Sequence, residues 1–178
     1  YALADYITIN ISSPNTQGLR DLQQREALGS LLGELSKTRK ACEHAHGRRV
    51  PMLLKVAPDL SMGEKEDIAA QVLAHGIDGM IISNTTVSRP DALKSMQRGE
   101  QGGLSGQPLF SLSTAALSDF YRLTKGALPL IGAGGVSSPQ AAYAKVRAGA
   151  TLVQLYTALV YEGFGLVRVI CNELPALL

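Results

Sequence analysis

Five apolar strand segments alternate with helical ones, and hydrophobicity is nearly continuous along each strand. All five strands end in polar or glycine-rich residues. These observations predict an α/β fold with a parallel sheet, built as about five βα units of a (β/α)8 TIM barrel. A flavodoxin-like open sheet competes, because five strands would complete it. Such a sheet concentrates its site at one switch point, whereas here every strand end is polar. A full barrel takes eight strands in usually ~250 residues. Residues 1–178 are therefore expected to be a single domain and a partial barrel.

Residues 5–11, "DYITINI", are β-branched and apolar and form the first strand. Leu28, Leu31, Leu32 and Leu35 follow at helical spacing, in a helix weakened by Gly29 and Gly33. "MLLKVA" (52–57) is the second strand. Ser61 and Glu64 make a capping-box pattern that opens a helix with Ile68, Ala69, Val72 and Leu73 on one face, and Gly76 closes it. "GMIIS" (79–83) is the third strand, and a helix at about 111–125 is expected to bury Leu117, Phe120 and Tyr121. "PLIGA" (129–133) is the fourth. Ser138 as N-cap, Pro139 at the first helical position and Gly149 past the end frame the next helix. "TLVQLY" (151–156) is the fifth strand, and one last helix is expected from about 164 to 177.

Composition excludes several function classes. The chain is 46% hydrophobic and 18% charged, which is ordinary for a globular domain. Its 17 basic and 15 acidic residues leave a net charge of +2 and no basic block, and aromatics make up 5%, so nothing recommends nucleic acid. No apolar run approaches the ~20 residues of a membrane span. The opening "YALADY" has no charged n-region, so no signal peptide is expected. Cys42 and Cys171 read as lone thiols in a reducing compartment, and His44 and His46 as part of a solvated helix end rather than a metal pair.

The strand ends carry the chemistry. The first ends in Asn10, Ser12, Ser13 and Asn15, the third in Ser83, Asn84, Thr85 and Thr86, and the fifth in Gln154, Tyr156 and Thr157. Lys55, inside the apolar "LLKVAPD", is either snorkelling or held in a site, where a fixed positive charge would stabilise a developing anion. "GAGG" (132–135) lacks the G-x-G-x-x-G fingerprint, since Ser137 stands at the last glycine position. It still leads into a helix capped by Ser138, which suits a phosphate. The long connection 84–110 is read as functional, with Gly102, Gly103 and Gly106 allowing close approach of backbone to a ligand. No histidine and no carboxylate except Asp59 lies among these ends. Neutral amides, hydroxyls, one lysine and a phosphate grip imply that a cofactor performs the chemistry.

"NISSPNTQGLRDLQ", "LLKVAPDL", "GMIISNTTVSRP", "GGLSGQPL", "IGAGGVSS" and "AGATLVQLYTALVYEG", in this order, resemble the dihydroorotate dehydrogenase family across essentially the whole chain. The resemblance implies a (β/α)8 flavoprotein that binds FMN at the barrel mouth and oxidises dihydroorotate to orotate in pyrimidine biosynthesis. It implies a base that takes the proton from substrate C5. The quinone-reducing, membrane-associated class uses serine there and the soluble class cysteine; the position is Ser13, so the sequence resembles the quinone class. By the same resemblance Asn10, Asn15, Asn84 and Thr85 would bind substrate. Asn10, Lys55, Ser83, Gly106, Gly135, Tyr156 and Thr157 would bind FMN, with Lys55 stabilising its reduced form and the last three surrounding the phosphate. Thr16 is a candidate for the proton relay, and Ser12 to about Gln24 for a lid.

The family's first barrel strands and its N-terminal membrane-touching helical segment have no counterpart in these residues, so the chain is expected to be the C-terminal barrel portion of a longer protein or a truncated gene product. The expected partners are dihydroorotate, orotate and a quinone. The expected location is the cytoplasmic face of a bacterial inner membrane, or the mitochondrial inner membrane, reached through that N-terminal segment. Alternatives are a soluble-class or dihydropyrimidine-type flavin barrel, and an inactive domain that persists by assembly with a partner chain.

Overall fold

Alternation along the strands sets the layers. In β1 (Ile7–Asn10) Ile9 is buried and Asn10 is exposed. In β2 (Met52–Val56) Met52, Leu54 and Val56 face one way, and Leu53 and Lys55 the other. The structure, a computed structural model, describes residues 1–178. It continues through α1 (Arg25–His46), α2 (Met62–Ala74), β3 (Gly79–Ile82), α3 (Phe110–Leu123), β4 (Leu130–Ala133), α4 (Pro139–Arg147), β5 (Leu152–Gln154), α5 (Thr157–Glu162) and α6 (Gly165–Glu173).

All strand pairs are parallel, and the sheet order is β1-β2-β3-β4-β5. A strictly sequential order with right-handed crossovers places every helix on the same face. That is the arrangement of a barrel wall and not of a doubly wound sheet, whose order reverses at a switch point. The main core lies between sheet and helices: Ile9, Leu54, Met80 and Leu130 pack against Leu28 and Leu32 of α1, Ile68 and Val72 of α2, and Leu117 and Phe120 of α3. A smaller cluster, Leu53, Ile81, Ile131 and Ala133, covers the opposite face. Lys55 shares that face with Leu53, and the register sets Asn10 beside it. The C-terminal strand ends thus converge on one rim.

The Ser61–Glu64 capping box forms in full, and the Ser138 hydroxyl accepts the Ala141 N–H at 3.1 Å with Pro139 at the first helical position. Three expectations are corrected. The strands are shorter than read, three to five residues each, because the polar ends turn out of the ladder to line the rim. Tyr121 is 46% exposed: the buried face of α3 runs through Ser113, Ala116, Leu117 and Phe120, and Tyr121 lies one residue past it, its ring against Gly126 and Gly149. The last expected helix is α6, continued by a 3-10 turn at Leu174–Ala176, and an unexpected short helix, α5, precedes it, the two separated at Gly163 with φ 71.

Candidate active site at the strand ends

The site begins with the turn after β1. The Asn10 side-chain oxygen accepts from the Ser12 hydroxyl at 3.1 Å and from the Asn84 amide at 3.3 Å. Asn84, just beyond β3, also donates to the Ser12 hydroxyl at 3.1 Å, and its own oxygen accepts the Thr85 N–H at 2.8 Å. These bonds lock two strand ends together, with Ser12 fully buried as the link. They leave the Asn10 NH2 without a protein acceptor. Ser13 is half-buried, and its hydroxyl oxygen accepts the Asn15 N–H at 3.3 Å. The Ser13 hydroxyl proton has no acceptor in the protein, so it is free to be given away. Asn15 and Thr16 are exposed. Thr16 makes no side-chain hydrogen bond, so direct contacts do not connect it to Ser13 as the relay expectation requires.

Next to this turn opens a cavity of about 920 Å³, within the size range of cofactor sites. Lys55, Ser83, Asn84, Thr85, Gly106, Gly135, Tyr156 and Thr157 all line it. Asn10, Ser13 and Asn15 are not in its wall; they stand beside it, with Asn84 belonging to both groups. Lys55 is paired with no carboxylate, and burial alone lowers its ammonium below the ordinary lysine value. A half-buried cation without a partner, facing a cavity, is suited to a ligand that is or becomes anionic. Across the mouth, Gln107 donates to Ser137 at 3.2 Å and Thr157 to Ser105 at 3.0 Å, tying the long connection to the last two strand ends.

The long connection is not a slack insertion. Thr86 and Leu104 pair as an antiparallel bridge, and the Arg89 guanidinium reaches the carbonyls of Glu100 and Gly102 at 2.8 Å each. Gly106 lies in the cavity wall as expected. Gly103 serves a different purpose: a Cβ there would fall 1.9 Å from the Thr85 hydroxyl and 3.0 Å from Pro14, so its missing side chain lets the connection close over the serine turn.

Sequence reasoning passed over Arg20 and gave Asp59 no role. Arg20 sits in a 3-10 turn (Leu19–Gln23) within the expected lid. Its guanidinium donates to the Ser12 carbonyl at 3.3 Å, the Thr85 carbonyl at 3.2 Å and Asp59 at 3.3 Å. Asp59 in turn accepts from the Thr86 hydroxyl, the Val87 N–H and the Ser88 hydroxyl. Gln23 holds the same segment down by accepting the Ala57 N–H at 3.0 Å. The segment is therefore clamped shut over three strand ends. The available signal was Asp59 itself: one carboxylate among neutral strand ends calls for a cation.

Known proteins match this chain closely. The family model for dihydroorotate dehydrogenase matches residues 2–178. The dihydroorotate dehydrogenase (quinone) of Agrobacterium fabrum is 52% identical over 177 residues, 99% of this chain and 49% of that protein. The mitochondrial dihydroorotate dehydrogenase (quinone) of Arabidopsis thaliana is 56% identical over 172 residues, 96% of this chain and 37% of that protein. The chain spans about half the length of the curated bacterial relatives it matches. Among solved structures, the Eimeria tenella enzyme in complex with ferulenol superposes with a TM-score of 0.94 at 41% identity, over 99% of this chain and 50% of that one. A family match from residue 2 to residue 178, on a sheet whose strand ends assemble as described, places this chain in the dihydroorotate dehydrogenase family.

Proposed function

We propose that residues 1–178 form the C-terminal barrel portion of a dihydroorotate dehydrogenase of the quinone-reducing class, with FMN as cofactor. The observation that carries the reading is the juxtaposition of a serine hydroxyl free to lose its proton with an amide-lined cavity containing one unpaired lysine. The residues fit FMN. The cavity has the volume, Lys55 supplies a cation without a protein partner, and the Gly134–Gly135 turn supplies N–H groups without backbone acceptors. Lys55, Ser83, Gly106, Gly135, Tyr156 and Thr157 would hold it, with Asn10 at its border. FMN, when bound, would take the hydride from substrate C6 and pass the electrons to a quinone.

The remaining work falls to this chain's own side chains. Asn10, Asn15, Asn84 and Thr85 offer neutral donors and acceptors for the amide and imide edges of a dihydropyrimidine ring. Ser13 Oγ would take the C5 proton while passing its own hydroxyl proton to a bound water, since no protein group accepts it. Neutral serine is a weak base, so the step requires a site closed to bulk water. The Arg20–Asp59 clamp supplies that closure by pinning the loop that carries Ser13. No helix is long and apolar enough to cross a membrane.

The test is direct. The purified intact protein should show flavin absorbance, which anaerobic dihydroorotate bleaches and a quinone restores. A colourless protein, or a flavin that dihydroorotate does not bleach, would overturn the reading.

A further inference from the structure

Two charged side chains are fully or almost fully buried, Arg39 and Lys145. Arg39 is paired with Asp78 at 2.6 Å. Lys145, on α4, is completely buried and has no carboxylate partner. Its ammonium donates to the Ser113 hydroxyl at 2.6 Å and lies 5.0 Å from the centroid of the Phe110 ring. A buried ammonium with one neutral acceptor is costly to keep, and burial lowers its pKa to about 7. Space filling does not explain it, since methionine would fill the same volume without a charge.

What lies beyond Ser113 does explain it. The Ser113 hydroxyl stands 3.1 Å from the Gly134 carbonyl oxygen and also 3.1 Å from that of Phe110, so its one proton serves both acceptors in turn. In a trans-planar peptide the carbonyl and the next N–H point in opposite directions. With the Gly134 carbonyl drawn back toward α3, the Gly135 N–H is turned the other way. Gly134 and Gly135 both line the cavity, and neither N–H has a backbone acceptor. The turn packs closely on α3: a Cβ at Gly135 would lie 2.5 Å from Phe110 Cβ, so only glycine fits there. Lys145, Ser113 and the Gly134 carbonyl thus form a chain from a buried positive charge to the wall of the cavity.

We propose that Lys145 is a positioning residue for an anionic group bound at the Gly134–Gly135 turn, and, given the flavin reading above, that this group is the phosphate of FMN. The lysine acts in two ways. Through Ser113 it fixes the direction of the Gly135 N–H before ligand arrives. Through the dry core its charge, left unbalanced by any carboxylate, is balanced when the anion binds. A unit charge acting over several ångströms at an effective dielectric near 20 changes anion affinity by about tenfold or more.

Riboflavin and FMN differ only in the phosphate, so they separate this role from a structural one. Apoprotein prepared from the intact protein is titrated with each flavin by fluorescence quenching, as wild type, Lys145→Met and Ser113→Ala. Lys145→Met is expected to weaken FMN about tenfold and leave riboflavin within about twofold; Ser113→Ala is expected to weaken FMN selectively by a smaller factor. FMN should raise the Tm of Lys145→Met less than that of wild type, with the riboflavin shift unchanged. Equal losses for both flavins, or no loss for either, would overturn the role of Lys145 while leaving the flavin reading intact. A wild type that binds neither flavin would overturn the flavin reading and this proposal with it, whereas one that binds both equally would overturn this proposal alone. Should Lys145→Met not fold, Ser113→Ala decides by the same comparison.

Discussion

The Ser13 hydroxyl receives one N–H bond and gives none, which is the condition of a group waiting for substrate. Ser13→Ala removes the proton acceptor and one 3.3 Å bond from the Asn15 N–H, while the turn stays held by Ser12, Asn10 and Asn84. Flavin reduction by saturating dihydroorotate should slow by at least ~10²-fold with substrate affinity little changed, as read by stopped-flow absorbance. A near-wild-type rate would exclude Ser13 as the base. Lys55 is the matching case for charge. Its ammonium is penalised by burial and paired with nothing, so it should favour the reduced, anionic flavin over the oxidised one. Lys55→Ala should lower the midpoint potential, by about 30 mV for each 1.4 kcal/mol of lost preference in a two-electron couple. An unchanged potential in a flavin-loaded variant would reduce Lys55 to a structural residue. Lys55 stood out in the sequence as a charge inside an apolar run, whereas Ser13 was distinguished from its polar neighbours only by the family resemblance. Arg20 did not stand out, because nothing near it in the chain shows that its guanidinium meets Asp59, 39 positions away.

At the scale of the elements, the connection between β3 and α3 is a working part, stapled by Arg89 and closed over the Pro14 turn at Gly103. Gly103→Ala puts a methyl group where the Thr85 hydroxyl is. Thr85 must rotate away, so KM for dihydroorotate should rise while flavin content stays at wild-type level. Unchanged steady-state kinetics would show that the connection tolerates the shift. The opposite end of the sheet has a structural counterpart. Asp78, just before β3, accepts the Met52 N–H at 2.8 Å and meets Arg39 and Arg49. Burial alone would raise its pKa, but the bonds from Arg49 and Met52 and the charges of Arg39 and Arg49 outweigh it and hold the carboxyl below its usual value. A lowered folded-state pKa contributes stability that is complete above the unfolded carboxyl value and is lost as pH falls through the folded one. Denaturant titrations of the intact protein from pH 6 to pH 2 should therefore show a loss of stability that Asp78→Asn makes shallower. Identical slopes for the two proteins would refute the linkage.

At the scale of the whole molecule, the sheet is open, with β1 and β5 as unpaired edges. Near β5 the surface is apolar: Leu152 is 61% exposed, Tyr161 80% and Phe164 84%. A groove of about 250 Å³ beside it is lined by Val146, Leu152, Val153 and Ile170 among others. Apolar edges of this kind template association, and exposed apolar surface forgoes ~25 cal/mol per Å² against a net stability of only ~5–15 kcal/mol. Residues 1–178 prepared alone should therefore associate or melt broadly, and bind FMN weakly. Size-exclusion light scattering and calorimetry decide this. A monomer with a sharp transition and stoichiometric FMN would show that the chain satisfies its edges by itself.

The sequence alone determined the order of the five strands, the two capped helices and part of the cavity lining. Each rests on information within a few positions: alternation in "MLLKV", the Ser61–Glu64 spacing, the glycines of "GAGG". It over-extended the strands and buried Tyr121, because periodicity does not say which side of a helix edge a neighbour covers. Only the tertiary structure decided what holds the site in shape. Arg20 with Asp59, Lys145 with Ser113 and Gly103 with Thr85 join residues 39, 32 and 18 positions apart. Arg20, Ser113 and Lys145 look in the sequence like ordinary surface or helix residues, and nothing near Asp59, Thr85 or Gly103 names their partners. Their roles arise when parallel strands bring the ends of separate βα units to one rim, and no local pattern encodes which loops will meet there.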